Sequence, residues 1–486
     1  MKLGSAVVGL AAAVAGGAAA RPEIPRVWND TDVAGFEVPL ATPERSPRHV
    51  GSAEYYGFPV RTLYRSYPLY HPDRVPEGYE ASLRERDPEI AFDDARLETE
   101  SDWIEAGALV FRAPIFLVPY DRGPVQPWRD PEHFEKLGIE ETADGTFPYA
   151  EIVIRERGKL EVGLFSCAMC HTRVLPGGAV LRGAQGDYSN ARSNAYRLEK
   201  LGYPEQGAAS LPMFYSTPWI RPDEYTTMTA EARARLEARI PPGVFPRQGT
   251  SLTHPPKIPS LIGIRDVRYF DSGGLVRHRD IGDLMRYAAM TQGLDVIAHY
   301  GGFQPSPTMA PFFGSDNVRY SDEQLYALAR YLYSLEPPPN PNPVTEESQR
   351  GEAIFEKARC SECHPAPLYT NNQLTPADGF QVPDGARETD AIYPFSVGTD
   401  PTLALETRRG TGYYKVPSLR GLWYQSVFGH GGQAASLEEW LDPRRLREDY
   451  VPRGPHLAPG PVEGHRYGLE LPEEDRRALI AFLKTL

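Results

Sequence analysis

Two short stretches decide the fold, Cys167-Ala-Met-Cys170-His171 and Cys360-Ser-Glu-Cys363-His364. The chain of 486 residues contains four cysteines, and all four lie in these two motifs, so none remains for a disulfide. In each motif, two thiols are spaced to add to the two vinyl groups of one haem, and the next histidine can turn back to bind the iron. The sequence therefore predicts two covalently bound haem c groups.

Each residue of the motif has an expected role. The cysteines attach the haems and the histidines bind iron on the proximal side, so the cofactor-binding residues are Cys167, Cys170, His171, Cys360, Cys363 and His364. A thioredoxin-like redox pair is the alternative for one Cys-x-x-Cys, and a zinc site is the alternative for two. Neither requires a histidine directly after the second cysteine in both copies, so haem binding is favoured.

The first 20 residues predict export. Lys2 precedes an apolar run over residues 3–15 and the small residues Ala18-Ala19-Ala20, which is the layout of a cleaved signal peptide. A membrane anchor is the alternative, but the run falls short of the roughly 20 residues that span a bilayer. Loss of Lys2 makes the formal net charge of −13 one unit more negative, which argues against nucleic acid and anionic lipid as partners. We expect a periplasmic or secreted protein with no stable membrane insertion.

Three features recur in the same order in both halves and indicate a duplicated haem-binding domain. The first is the haem motif itself. The second is Lys257-Ile-Pro-Ser-Leu-Ile-Gly263, matched by Lys415-Val-Pro-Ser-Leu-Arg-Gly421. The third is a closing amphipathic helix, over residues 327–335 and again over 478–486. The predicted fold class is mainly α, with two tandem cytochrome c-like haem domains, long loops and a proline-rich, partly β N-terminal extension.

Proline placement sets the predicted domain boundaries. The run Pro-Pro-Pro-Asn-Pro-Asn-Pro over residues 337–343 cannot continue a helix and predicts an extended spacer. We therefore expect a signal peptide at 1–20, an N-terminal extension at 21–150, a first haem domain at 151–340 and a second at 341–486.

The segments ahead of the two motifs predict different local structures. A short helix is expected over residues 345–357, whereas residues 152–165 alternate and turn at Arg157-Gly158, as in a β-hairpin. Residues 109–118 look like a strand. Nothing in the sequence pairs residues 21–150 with the second half, so a third domain and an irregular wrapping around the first haem domain are both compatible with this stretch.

The distal ligand of the second haem is expected to be a histidine. All methionines precede residue 310, so none follows the second motif. Candidates are His430, His456 and His465, and the last is favoured because it lies just ahead of the closing helix. His430 or an open position are the alternatives. The predicted metal ligands are thus His171, His364, His465 and His430. A bis-His iron would have a low reduction potential.

The first haem has no obvious distal ligand. The position that matches His465 is Gly314. His299, Met309, Met290 and Met285 are possible ligands, although core packing explains each methionine more simply. A five-coordinate iron under an apolar lid would be a site for peroxide or O₂.

These residues resemble the bacterial dihaem cytochrome c peroxidase superfamily, which includes the dihaem enzyme that matures methylamine dehydrogenase and the dihaem rubber oxygenases. The resemblance extends over about residues 160–486 and includes both motifs, the two Pro-Ser-Leu-x-Gly segments, residues 427–439 and the terminal helix. The wide motif spacing is closest in layout to the rubber oxygenase and methylamine-dehydrogenase-maturing branch. In the rubber oxygenases the first haem binds O₂ and the second is bis-His.

Four positions depart from the peroxidase pattern. An acidic residue is replaced by Gly431 and an iron-ligating Met by Arg444, while Phe270 takes the place of a Trp between the haems and Met290 that of a catalytic Glu. Loss of that Glu weakens the case for ordinary peroxidase turnover, because O–O cleavage needs a positioned acid or base.

The sequence as a whole predicts an exported dihaem c-type cytochrome, an oxidoreductase with a reactive first haem and an electron-transferring second haem. Tyr269, Phe270 and His278 are the predicted catalytic residues, and with Arg277 they are expected to line the distal pocket or the region between the haems. Expected partners are a redox partner protein or electrode-side cytochrome and a small-molecule oxidant. The alternative is a non-enzymatic periplasmic electron carrier with two six-coordinate haems.

Overall fold

A computed structural model describes residues 21–204, 228–246, 255–291, 298–301, 319–407, 410–452 and 459–486. The predicted signal peptide, His456, Met309 and Gly314 lie outside these residues. In the described part, helices α1 to α15 are Asp30–Gly35, Ser52–Gly57, Tyr79–Arg84, Glu100–Arg112, Pro131–Leu137, Cys167–Cys170, Asn190–Lys200, Ala230–Arg239, Ile281–Thr291, Asp322–Tyr333, Glu346–Lys357, Ala386–Thr389, Thr402–Leu405, Leu437–Trp440 and Glu473–Leu483. Strands β1 to β12 are Pro47–Arg48, Ser66–Tyr70, Phe116–Pro119, Thr146–Glu156, Lys159–Leu164, Thr172–Val174, Val180–Arg182, Tyr269–Phe270, Val276–Arg277, His299–Tyr300, Leu374–Pro376 and Tyr413–Lys415.

The fold is mixed, which corrects the prediction of a mainly α protein. Its principal sheet has four antiparallel strands in the order β2-β4-β5-β3. Strands β4 and β5 form the predicted hairpin, which is confirmed and turns at Gly158 with a φ of 86°. The sequence understated the strand content because β2 and β3 are short and reach the hairpin from distant parts of the chain.

Helix α4 corrects the expectation of a strand over residues 109–118. The helix begins with a capping box, in which Thr99 and Asp102 each bond the other's backbone N–H, and it continues to Arg112. Its buried residues Trp103, Gly107, Val110 and Phe111 follow a helical spacing. Only Phe116–Pro119 is a strand. A short apolar run does not by itself distinguish strand from helix, and here the cap decides.

Each closing helix packs against an earlier helix through a glycine. In the first half, a Cβ on Gly107 of α4 would lie 2.0 Å from the carbonyl oxygen of Ala327 on α10. In the second half, a Cβ on Gly351 of α11 would lie 2.0 Å from the carbonyl oxygen of Ala478 on α15. Only glycine permits these two close approaches.

The aromatic residues four positions after each glycine repeat the same packing. The rings of Phe111 and Tyr331 are 5.3 Å apart between centroids, as are those of Phe355 and Phe482. Helix α4 is therefore the counterpart of α11. Helix α4 lies in residues 21–150, so part of this stretch has a structural counterpart in the second half that the sequence did not reveal.

The N-terminal stretch shares a core with the first haem motif. One hydrophobic cluster joins Trp28, Phe36 and Phe111 with Ala168 of the first motif and with α10. This arrangement favours wrapping over a separate third domain, while the domain boundaries themselves stay predictions. Within the described residues, no helix is long and apolar enough to cross a bilayer.

The duplicated Lys-x-Pro-Ser-Leu segments form matching turns. The backbone N–H of Ile262 bonds the Ser260 hydroxyl, and that of Arg420 bonds the Ser418 hydroxyl. Both turns end at a glycine with a φ of 75°, Gly263 and Gly421. A left-handed φ of this kind explains the glycine in each copy.

Candidate functional site

The first Cys-x-x-Cys-His motif forms a single helical turn, α6, placed directly after the β4–β5 hairpin. The Ser166 hydroxyl caps the turn by accepting from the backbone N–H of Met169. The His171 ring then donates from Nδ1 to the carbonyl oxygen of Pro259 at 3.1 Å. Because a carbonyl can only accept, the proton lies on Nδ1, and Nε2 is the unprotonated nitrogen, the one able to bind a metal.

The second motif forms a short 3-10 turn over Cys360–Glu362. The His364 ring donates from Nδ1 to the carbonyl oxygen of Tyr369 at 3.0 Å, and the carbonyl of Pro417 also contacts this imidazole. Pro417 and Pro259 occupy the same place in the duplicated segment. That segment therefore contacts the motif histidine in both halves, and acceptors of this kind commonly orient metal-binding histidines.

A cavity of about 290 Å³ adjoins the second motif. Its walls include both thiols of the motif, Cys360 and Cys363, and two imidazoles, His364 and His465. Burial lowers the pKa of His364 to about 4, and burial, with His364 and Arg445 as neighbouring charges, lowers the pKa of His465 to about 4. Both rings are therefore held neutral, which is the form that binds metal.

The loop that carries His465 is strained and firmly held. His465 has a left-handed φ of 44°, which costs a non-glycine residue about 1–2 kcal/mol. Buried Arg445 donates to the carbonyl oxygens of Gly464 and His465 at 2.8 and 2.9 Å and also to that of Val462. The His465 backbone N–H donates to the carbonyl oxygen of Val397 at 2.7 Å. These hydrogen bonds therefore compensate for the backbone strain, and the imidazole lines the cavity.

These donors fit a haem c group, which Cys360 and Cys363 would attach and His364 and His465 would bind. No hydrogen bond to another described residue fixes the buried Nδ1 atom of His465, so packing and the loop held by Arg445 place the ring. The described residues contain no cluster of three or more His, Cys, Asp or Glu side chains placed to hold a metal ion. The two cysteine pairs therefore do not meet in one four-cysteine site of the zinc type.

His430 lines the same cavity in a different role. Its ring stacks on Tyr414 with centroids 4.3 Å apart, and its Nε2 accepts from the side-chain amide of Gln433 at 3.1 Å. This imidazole nitrogen is already engaged, whereas the described contacts leave the His465 ring for the cavity. His430 stays the alternative ligand.

Of the three predicted catalytic residues, Tyr269 and Phe270 lie on β8 and His278 directly follows β9, and the structure places them in different environments. Tyr269 lines the second-motif cavity and accepts from the backbone N–H of Ala391 at 2.8 Å. Phe270 is buried in the core of the first half, where its ring stacks on that of Tyr287 at 5.2 Å. These two neighbours therefore point to opposite sides of β8, as strand geometry dictates.

His278 packs against Phe270 with ring centroids 4.5 Å apart. Its Nδ1 donates to the carbonyl oxygen of Val267 at 2.7 Å, and its Nε2 accepts from the hydroxyl of Tyr333 at 2.6 Å. Burial lowers the pKa of His278. The ring is thus neutral and bonded at both nitrogens, so acid or base catalysis would require the Tyr333 bond to open.

Arg277 joins the two halves, and its expected place in the distal pocket or between the haems stays a prediction. It forms a bidentate ion pair with Asp390, with both N–O distances 2.8 Å. It also donates to the carbonyl oxygens of Gly35 and Glu37. One side chain therefore connects the N-terminal stretch, β9 and the second half.

The candidates for the distal ligand of the first haem are dispersed. Met285 and Met290 are buried in the core on α9. His299 lies in β10, paired with β1, and its side chain is exposed. The distal ligand stays a prediction.

Sequence reasoning missed Arg445 and the packing role of α4. Arg445 stands at no recognisable motif, so no signal in one sequence would have found it. The signal for α4 was present as Gly107-Ala-Leu-Val-Phe111, which matches Gly351-Glu-Ala-Ile-Phe355 ahead of the second motif. The sequence also shows a lysine at the start of each duplicated segment, Lys257 and Lys415, without indicating a role for it.

Comparison with curated proteins gives one distant relative. No protein-family profile matches the chain. Over 161 residues the chain is 27% identical to the cytochrome-c peroxidase IdrP1 of Denitromonas iodatirespirans, a match that covers 29% of this chain and 41% of that protein. The match therefore spans less than half of the relative's length. It supports the resemblance to the peroxidase superfamily and leaves the branch within it a prediction.

Solved structures overlap with the chain in part. Hydrazine synthase of Kuenenia stuttgartiensis shares 19% identity over 57% of this chain and 86% of that chain, with a TM-score of 0.29. A variant of the dihaem peroxidase BthA from Burkholderia thailandensis shares 18% identity over 51% and 74%, with a TM-score of 0.26. Scores this low carry no argument about activity. The sequence match makes the chain a distant relative of a cytochrome-c peroxidase over the matched segment.

Proposed function

We propose that the chain is an exported dihaem c-type cytochrome and an oxidoreductase, with a reactive first haem at His171 and an electron-transferring second haem at His364. The cavity that brings Cys360, Cys363, His364 and His465 together is the observation that carries the proposal. When bound, the haems supply one-electron transfer and the reduction of a small oxidant such as peroxide or O₂.

The chain's own residues divide the work between the two sites. The carbonyl of Pro259 fixes the tautomer of the His171 imidazole. The carbonyl of Tyr369 fixes the tautomer of the His364 imidazole, with the Pro417 carbonyl in contact with the same ring. Arg445 holds the His465 loop so that its ring completes the second site. A haem held by both His364 and His465 would serve electron transfer and would be closed to small ligands, so any oxidant should react at the first motif.

The export part of the proposal rests on the signal-like leader, and a redox partner protein or electrode-side cytochrome would exchange electrons at the second haem. The acidic balance of the chain, with 65 Asp and Glu against 52 Lys and Arg, favours a basic or neutral partner. Two assays distinguish peroxidase from oxygenase activity. Consumption of peroxide with a reduced cytochrome would indicate a peroxidase, and uptake of O₂ with a polyisoprene would indicate an oxygenase.

Haem content tests the proposal directly. The pyridine haemochrome spectrum and the intact mass of the exported protein should give two covalent haems per chain. Replacing both cysteines of one motif by serine, as Cys167→Ser with Cys170→Ser or Cys360→Ser with Cys363→Ser, should leave one. A wild-type chain without covalent haem would refute the proposal.

A further inference from the structure

Lys257 and Lys415 occupy the same position in the two copies of the duplicated segment, two residues before the prolines that contact the proximal histidines. The backbones of the two lysines make reciprocal contacts across the halves. Lys257 N–H donates to the carbonyl oxygen of His430 at 2.9 Å, and Lys415 N–H donates to that of Ser272 at 3.0 Å. Ser272 and His430 are themselves in matching positions, Phe270-Asp-Ser272 against Phe428-Gly-His430. Each lysine therefore hydrogen-bonds a residue of the other half of the chain.

Both lysine side chains line the cavity of the second motif. The Lys257 ammonium donates to the amide oxygen of Gln425 at 3.3 Å, and the Lys415 ammonium donates to the carbonyl oxygen of Tyr269 at 3.4 Å. These are long bonds to neutral acceptors. Within the described residues, neither ammonium has a carboxylate at ion-pair distance, and Asp271 is the acidic group that acts on Lys415 from further away.

The other charged groups of the cavity wall already have partners. Arg359 pairs with Glu362 at 2.5 Å, and Arg420 pairs with Asp266 at 2.8 Å. Among the described residues of this wall, the lysines are the cations that have no carboxylate at ion-pair distance. Burial, together with the neighbouring Lys415, lowers the pKa of Lys257 to about 8, and burial lowers the pKa of Lys415 to about 8. Two buried ammonium groups without an adjacent carboxylate favour an anionic occupant with two charges.

The haem predicted for this cavity has such charges. A macrocycle fixed by thioethers at one edge carries two propionates on its other side. The two ammonium groups contact Gln425 and the carbonyl oxygen of Tyr269, whereas Tyr393 bonds the Cys363 thiol. The lysines thus enter the cavity through parts of its wall other than the cysteine motif.

We propose that Lys257 and Lys415 are the propionate-binding residues of the second haem, one supplied by each half of the chain. This inference rests on the proposed function, since it needs haem c at Cys360 and Cys363. It goes beyond that function by making the first half a part of the second haem site. The haem would thereby join the two halves through charge-assisted hydrogen bonds.

The midpoint potential of the second haem tests this inference. Two nearby positive charges favour the reduced, more electron-rich haem, so Lys257→Gln and Lys415→Gln should each lower the potential in a spectroelectrochemical titration. The double variant should lower it further. Lys257→Arg and Lys415→Arg keep the charge and should hold the potential near the wild-type value. Lys357→Gln is the matched control. This lysine is exposed at the end of α11, close to the second motif, so its replacement should not change the potential.

Covalent haem content is measured on the same samples. This distinguishes failure of the proposed function from failure of the lysine assignment. A wild-type chain without haem at the second motif would overturn the proposed function. Haem present at full content with an unshifted potential in the double Gln variant would overturn the lysine assignment alone. If the lysines bind a free anion instead, added acetate should change the spectrum of the wild type but not that of the Gln variants. This outcome also overturns the assignment.

Discussion

His364 and His465 line one cavity, close enough that the charge of the first would act on the second. The two residues lie on separate loops, one inside the haem motif and the other just ahead of α15. A strained backbone and Arg445 hold the second ring in place. The pair gives the second site two neutral imidazoles, and the proposal that the two motifs differ in function rests on it.

Replacing His465 by Gly should remove one low-spin EPR signal of the oxidised protein. Glycine accepts the left-handed φ of 44° at this position, so the loop should keep its path. His430→Asn is the matched control, because its ring is already bonded to Gln433 and should leave the low-spin signal in place. Loss of the signal in His430→Asn with retention in His465→Gly would reverse the ligand assignment.

The helix pairs predict a glycine requirement in both halves. Gly107→Ala and Gly351→Ala would each place a methyl group 2.0 Å from a carbonyl oxygen, so each should lower the free energy of unfolding by about 1–3 kcal/mol or more. Gly57→Ala is the control, since a Cβ there meets nothing within 4 Å. Thermal denaturation measures the difference. Equal melting temperatures for all three variants would contradict the packing described for α4 and α11.

Two tyrosines of one hydrophobic cluster should respond differently to loss of the hydroxyl. Tyr269→Phe removes the acceptor for the Ala391 N–H and should destabilise the fold by about 1–3 kcal/mol. The Tyr413 hydroxyl is buried without a hydrogen-bond partner in the described structure, so Tyr413→Phe should be neutral or stabilising. Melting temperatures of the two variants test this contrast, and a greater loss in Tyr413→Phe would refute it.

A buried histidine outside the haem motifs predicts acid sensitivity. His133 donates from Nδ1 to the Pro127 carbonyl and accepts at Nε2 from the Ser193 hydroxyl, and burial lowers its pKa to about 4. The unfolded chain, with a pKa near 6.5, binds a proton first as the pH falls. The stabilising contribution is therefore complete above about pH 6.5 and is lost toward pH 4, by roughly 3 kcal/mol in total.

The slope of melting temperature against pH between 7 and 4.5 measures this contribution. His133→Asn keeps a donor and an acceptor but does not titrate, so its slope should be shallower than that of the wild type. Equal slopes would show that another group controls the loss.

The sequence predicted the features that local chemistry dictates. The haem motifs, the hairpin ahead of the first and the closing helices depend on neighbouring residues, and the structure confirms the hairpin and the helices. Contacts between distant segments were not predictable in this way. The pairing of α4 with α10 required a glycine to be recognised as a helix contact more than 200 residues away, and Arg445 acts on a loop that carries no motif.

The central claim is that one haem is bis-His and the other offers an open position, and the EPR spectrum of the oxidised wild-type protein tests it most directly. We predict one low-spin signal from the second motif and one high-spin signal from the first. Two low-spin signals with no high-spin iron would contradict the claim and would favour an electron carrier.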